Sequence, residues 1–209
     1  MHTEGLVAAF REDMRDMQAP YLWSDSELIR YIVEAQRQIC IKAWGITDIM
    51  TVTIPAELTD PVSISKRILR INKAFDDNGR ELTMQSLEET DDVYRRSPGN
   101  ICALVLDVKE HAVVPYPPPV AETDIKLHVY RLPLEDPSAV DTTELELSDE
   151  ASEGIVLYMR YLAALKNDTE TLDVKLAEQF LALFERFAEQ YRKQRERRVH
   201  NPRKTIGYW

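Results

Sequence analysis

Asp124-Ile125-Lys126-Leu127-His128-Val129-Tyr130-Arg131 alternates polar and apolar side chains from Asp124 through Val129. A two-residue period of this kind reads as an extended strand with one face in a core. Upstream, the same pattern and an excess of β-branched residues recur from Asp48 onward. Met50-Thr51-Val52-Thr53-Ile54 runs into Pro55, and Ile68-Leu69-Arg70-Ile71-Asn72-Lys73-Ala74-Phe75 runs into Asp76-Asp77-Asn78-Gly79. The Asn-Gly pair favours a tight hairpin turn, which makes Arg80 to Met84 the returning strand. Ser86 and Glu89 stand in capping-box register for a short helix over 86–93. Two more strands are expected at Ile101 to Val108 and Ala112 to Pro115, followed by an extended polyproline II stretch at Tyr116-Pro117-Pro118-Pro119. The reading is a small antiparallel β-unit.

On both sides the period changes to that of a helix. Leu6, Val7, Phe10, Met14 and Met17 mark a short helix ended by Gln18-Ala19-Pro20. Ser24-Asp25-Ser26-Glu27 opens a better-marked one, since Ser24 and Glu27 can cap each other's amides. Its apolar face is Leu28, Ile29, Ile32, Ala35, Ile39 and Ala43, with Gly45 as a left-handed C-cap. After an acidic connector, Pro133 to Thr143, the residues Ser148-Asp149-Glu150-Ala151 start a helix that buries Ile155, Val156, Tyr158, Met159, Leu162 and Leu165. A last helix from near Thr169 to Arg198 extends roughly 45 Å. The expected fold class is therefore α+β, mainly α. A helical bundle over 1–47 and 144–191 carries an inserted β-rich part over 48–143, and a basic C-terminal docking arm covers 192–209.

Charge is polarised along the chain. The 209 residues carry −10 overall, yet from Arg186 onward eight basic residues face two acidic ones, so this segment is near +6 and the rest near −16. The final helix loses its apolar stripe after Tyr191, so its distal part either projects into solvent or is covered by a partner. An acidic groove of a protein partner suits this basic segment; nucleic acid is the second reading, although specific binders usually spread the excess over a whole domain and this pI is near 5. Arg and Lys at a helix C-terminus also complement its dipole, which covers three or four of these residues but not those beyond Pro202.

Catalytic patterns are missing from the sequence. His2, His111, His128 and His200 are scattered without metal-ligand spacing, and the six glycines form no phosphate loop. The acidic groups Glu88-Glu89-Thr90-Asp91-Asp92 and Glu144-Leu145-Glu146 read as solvated surface rather than an acid–base pair. Cys40 and Cys102 sit among apolar neighbours and are expected to be buried free thiols of a reducing cytoplasm. No cofactor, metal or enzymatic activity is expected. Neither a signal peptide nor a membrane span is indicated, and 44% hydrophobic residues suffice for the core of a soluble protein.

The segment Leu22-Trp23-Ser24-Asp25-Ser26-Glu27-Leu28 to Gln36-Arg37-Gln38-Ile39 resembles the head-to-tail adaptor (head-completion or connector) proteins of tailed bacteriophages, especially the short-tailed ones. The resemblance continues through Ile54-Pro55, Arg67-Ile68-Leu69-Arg70-Ile71, Gly79-Arg80-Glu81-Leu82, Tyr116-Pro117-Pro118-Pro119 and Leu157-Tyr158-Met159-Arg160-Tyr161-Leu162-Ala163-Ala164-Leu165, with Asp168 and Asp173 following. It spans roughly residues 20 to 190 and departs where the family often has an acidic residue and this chain has Gln38. It implies a homo-oligomeric, twelvefold ring in the virion neck, assembled in the host cytoplasm and placed beneath the portal. Such a ring extends the DNA channel and joins it to a tail nozzle or hub protein. The resemblance assigns portal binding to Arg192, Lys193, Arg195, Arg197, Arg198, Arg203, Lys204, Tyr208 and Trp209. Viral DNA would pass transiently, and an acidic body suits such a channel because carboxylates repel phosphates. Another phage neck or tail-completion protein is the alternative, and a nucleic-acid-processing enzyme a more distant one.

Overall fold

The computed structural model describes residues 1–90, 97–166 and 172–199. The chain divides into two units, one formed by Met1–Trp44 together with the chain from Pro133 onward, the other by Gly45–Leu132.

Among the described residues the first unit holds four α-helices: α1 (Thr3–Met14), α2 (Asp25–Lys42), α3 (Ser152–Ala164) and α4 (Val174–Val199). Helix α3 packs on each of the other three. Phe10, Leu28, Ile32, Ile39, Ile155, Met159 and Phe184 are fully buried, and each such side chain contributes about 1.5–3 kcal/mol. Gly154 lies in α3 where an added Cβ would collide with the Phe187 ring of α4, so the absent side chain sets the approach of these helices. Asp173 starts α4 by accepting the Leu176 amide at 3.0 Å.

The turn from α1 to α2 explains the Trp-Ser-Asp-x-Glu stretch. Arg15 closes α1 in the left-handed conformation at φ 58°. Behind it the buried Arg11 guanidinium reaches Asp16 at 2.5 Å, the Trp23 carbonyl at 3.1 Å and Asp25 at 2.8 Å. Asp16 in turn accepts the Leu22 amide at 2.9 Å. Trp23 stacks edge-on against Phe10, with ring centroids 5.4 Å apart. Ser24 Oγ accepts the Glu27 N–H at 3.3 Å, and Glu27 Oε2 accepts the Ser24 N–H at 3.0 Å. The capping box is therefore complete. Lys166, just after α3, pairs with the same Glu27 at 3.1 Å. Glu27 is held below the usual carboxylate range, first by the Ser24 amide and then, against desolvation, by Lys166.

The second unit holds β1 (Ile46–Ile54), β2 (Val62–Ser63), β3 (Ile68–Phe75), β4 (Glu81–Gln85), β5 (Ala103–Val105), β6 (Ala112–Tyr116) and β7 (Thr123–Arg131). They form one sheet in the order β1-β7-β3-β4-β5-β6-β2, nearly closed into a barrel. Strand β7 is central: it pairs antiparallel with β1 from Ile46↔Arg131 to Ile54↔Thr123 without a slip, and with β3 through two irregularities. Its buried Ile125, Leu127 and Val129 meet Ile54, Ile68, Ala74, Leu82, Ile101 and Leu104 in one core. Gly45 enters this sheet at φ +64°, where an added Cβ would lie 2.6 Å from the Arg131 carbonyl oxygen. Only glycine tolerates both conditions.

The expectation of a mainly helical bundle with a small antiparallel insert is corrected. The fold is mixed α/β, with 40% of described residues helical and 24% in strands, and the sheet has seven strands with a core of its own. Local patterns understate it because β2 is only two residues long and because β4 and β5, separated by residues 86–102, pair in parallel, Thr83↔Ala103 to Gln85↔Val105. Smaller differences follow from local chemistry. Helix α2 stops at Lys42, with Trp44 and Gly45 both left-handed, so Gly45 serves the strand entry rather than the helix cap. The Asn-Gly hairpin exists but opens over Asp76 to Arg80, because Asp76 Oδ1 accepts the amides of Asn78 at 3.1 Å and Arg80 at 2.7 Å. Only Leu87–Glu89 forms a helical turn after Ser86, and 91–93 lie outside the described residues. The Tyr116-Pro117 bond is cis, and the Pro118 and Pro119 carbonyls accept amides from Gly99 and Glu57 at 2.8 and 2.7 Å. Cys40 is buried, whereas Cys102 is exposed.

Candidate docking site at the end of the last helix

Helix α4 carries two kinds of surface. Ala177, Phe180, Phe184, Ala188 and Tyr191 form its buried stripe, and the apolar periodicity ends there. Beyond it, polar contacts take over. Tyr191 Oη lies 3.0 Å from Ser148 Oγ, Arg195 Nη1 donates to the Ala43 carbonyl at 2.8 Å, and Arg198 Nη2 meets Glu150 Oε1 at 2.6 Å. Arg192 and Lys193 pair along the helix with Glu196 at 3.5 Å and Glu189 at 2.6 Å. The ion pair holds Glu150 below and Arg198 above their ordinary pKa values, and Lys193 lowers Glu189 in the same way. All of these are surface pairs, so each adds little stability. Together they tie α4 to its own unit as far as Arg198.

Of the nine basic and aromatic residues assigned to docking, the structure therefore describes Arg192, Lys193, Arg195, Arg197 and Arg198 on the last two turns of α4. Four of them have partners within the chain, while Arg197 is exposed on the same turns. Arg203, Lys204, Tyr208 and Trp209 lie outside the described residues. The expectation that the distal helix either projects or awaits a partner is thus modified, because polar side chains hold it to its own unit as far as Arg198.

The other residues considered for chemistry have structural surroundings. His128 packs on Phe75 with centroids 5.0 Å apart, His111 occupies a left-handed turn at φ 51°, and His2 bridges to Glu144. His200, Asp91 and Asp92 lie outside the described residues. Glu89 accepts the Ser86 amide at 3.1 Å, and Glu146 accepts the Leu134 amide at 2.5 Å. Among the described residues no group of three or more His, Cys, Asp or Glu could hold a metal ion, and no helix is long and apolar enough to cross a membrane.

The SU10 adaptor protein family model matches residues 3–205. The chain belongs to that family. SU10-type adaptors are structural phage proteins, and the whole described chain falls under the match apart from its first two residues. No curated protein matches the chain.

One feature of the first unit is invisible in the sequence pattern. Helices α1 and α3 flank a groove of about 680 Å³ lined by Gly5, Leu6, Ala9, Val156 and Leu157, with Asp13, Asp149, Glu153 and Arg160 along its rim. Ion pairs bracket it, Met1 with Asp149 at 2.5 Å and Asp13 with Arg160 at 3.0 Å.

Proposed function

We propose that this adaptor acts by assembly rather than catalysis, as a ring of about twelve copies beneath the portal in the virion neck that extends the DNA channel and connects it to a tail nozzle or hub protein. The family match over residues 3–205 carries this reading. In it the C-terminal arm docks on the portal through Arg192, Lys193, Arg195, Arg197, Arg198, Arg203, Lys204, Tyr208 and Trp209. The partnered cations of α4 give the arm a fixed base, since Arg195 and Arg198 are tied to Ala43 and Glu150. Arg203, Lys204, Tyr208 and Trp209 then supply the cations and aromatic rings that reach the portal. Aromatic residues and Arg are the side chains that concentrate binding energy at interfaces.

Removal of residues 201–209 leaves every contact described above in place. The truncated protein is therefore expected to fold normally and to lose co-sedimentation with portal rings. Unchanged co-sedimentation would overturn the docking assignment.

A further inference from the structure

The groove between α1 and α3 is apolar at its centre and charged at its ends. Its polarity follows from the two bracketing ion pairs. Met1 faces Asp149 at one end and Asp13 faces Arg160 at the other, so α1 and α3 run in the same direction along it. The near end lies beside Glu150, the residue that anchors Arg198 of α4. Arg198 of α4 is thus tied to the residue that follows Asp149, a lining residue of the groove's near end.

We propose that in the unassembled protein the groove is occupied by the chain's own C-terminal segment, residues 200–209. The idea rests on the portal-docking reading only in that the same segment serves both sites. Reach permits it: ten extended residues span up to about 33 Å, whereas Asp149 to Arg160 along α3 is about 17 Å. Order of side chains matches as well. Arg203 and Lys204 come first after α4 and meet Asp149 and Glu153 at the near end, while Ile206, Tyr208 and Trp209 follow onto Leu6, Ala9, Val156 and Leu157. Opposite charges steer the segment and the apolar floor retains it. Held there, the arm is withheld from other surfaces until a portal offers a better site, and the two sites compete for one segment.

The test uses protein lacking residues 200–209 and a labelled peptide of sequence His-Asn-Pro-Arg-Lys-Thr-Ile-Gly-Tyr-Trp, followed by fluorescence anisotropy. The peptide is expected to bind the truncated protein and to bind full-length protein at least tenfold more weakly, because the groove is already filled in cis. Ala9→Arg places a long side chain in the groove from an exposed position and should weaken peptide binding at least tenfold. Glu153→Lys should weaken it several-fold, by less as salt rises. Absence of peptide binding to the truncated protein, or equal binding to the Ala9→Arg and Glu153→Lys variants, overturns the proposal. The portal reading is separated by co-sedimentation. Full-length Ala9→Arg should dock on portal rings at least as well as the parent. If the peptide does not bind but truncation abolishes portal docking, the groove proposal fails and the portal reading stands. If the peptide binds and the truncated protein still docks, the reverse holds.

Discussion

The helical unit and the sheet unit use their buried arginines over different distances along the chain. Arg11 gathers Asp16, Trp23 and Asp25, all within 14 positions, and so welds α1 to the start of α2 through a short turn. Arg131 reaches Asp48, 83 positions away, at 2.6 Å across neighbouring strands β7 and β1. Each pairs a guanidinium with a carboxylate. The first is nearly enclosed on both sides, and the second leaves its carboxylate about a third exposed, with side-chain exposures of 8% and 5% against 8% and 35%. Enclosure raises the cost of breaking a pair, because the remaining charge is stranded away from water. Arg11 is thus the critical arginine for stability, and Arg131 chiefly fastens the register of two strands already held by backbone bonds.

The sharpest way to break this comparison is Arg11→Ala. It strands Asp16 in a buried turn and should cost about 3–5 kcal/mol, read as a lowered denaturation midpoint with amide exchange accelerated in α1 and α2. A loss below 1 kcal/mol would remove the distinction between the two arginines. Leu127→Ala probes the sheet unit independently of charge. Leu127 is fully enclosed at the centre of β7, so about 2–5 kcal/mol should be lost, with faster exchange confined to the strands of Gly45–Leu132. Ser24→Ala removes one half of the capping box and should cost about 1 kcal/mol, measured by urea denaturation.

The smallest effect concerns pH. The Arg131 hydrogen bond, helped by the Ile49 amide, holds Asp48 below the usual carboxylate range. A depressed carboxylate contributes stability that is complete above its unfolded pKa and disappears as pH falls through the folded value. Asp48→Asn should therefore lower stability near neutrality slightly and flatten its decline on acidification. Melting temperatures across the acid range that fall as steeply in the variant as in the parent would contradict this.

The contrast between near and distant contacts also explains what could be read in advance. The Ser24–Glu27 box, the helical face of α2 and the alternation in β7 depend on neighbours a few positions apart, and they appear in the structure as the sequence indicates, whereas α3 buries Ile155, Val156 and Met159 but leaves Tyr158 and Leu162 half-buried and Leu165 exposed. The extent of the sheet does not have that property. Strand β2 spans two residues, the β4–β5 pair is parallel, and Arg131, in step with the buried Ile125, Leu127 and Val129, has no visible partner until Asp48 is brought within reach on the neighbouring strand β1. Those features exist only after distant segments meet, and missing them made the molecule read as mainly helical. At the docking site the basic run of α4 was visible, but its ties to Ala43 and Glu150 were not, because neither partner is near it in sequence. The groove between α1 and α3 escaped for the same reason.

Electron microscopy of the full-length protein mixed with portal rings tests the central claim most directly. The expected image is a closed ring of adaptor beneath the portal, with residues 201–209 in density against portal subunits and α4 still tied to Ala43 and Glu150 at its base. A ring attached through any other surface, with 201–209 away from the portal, would contradict it.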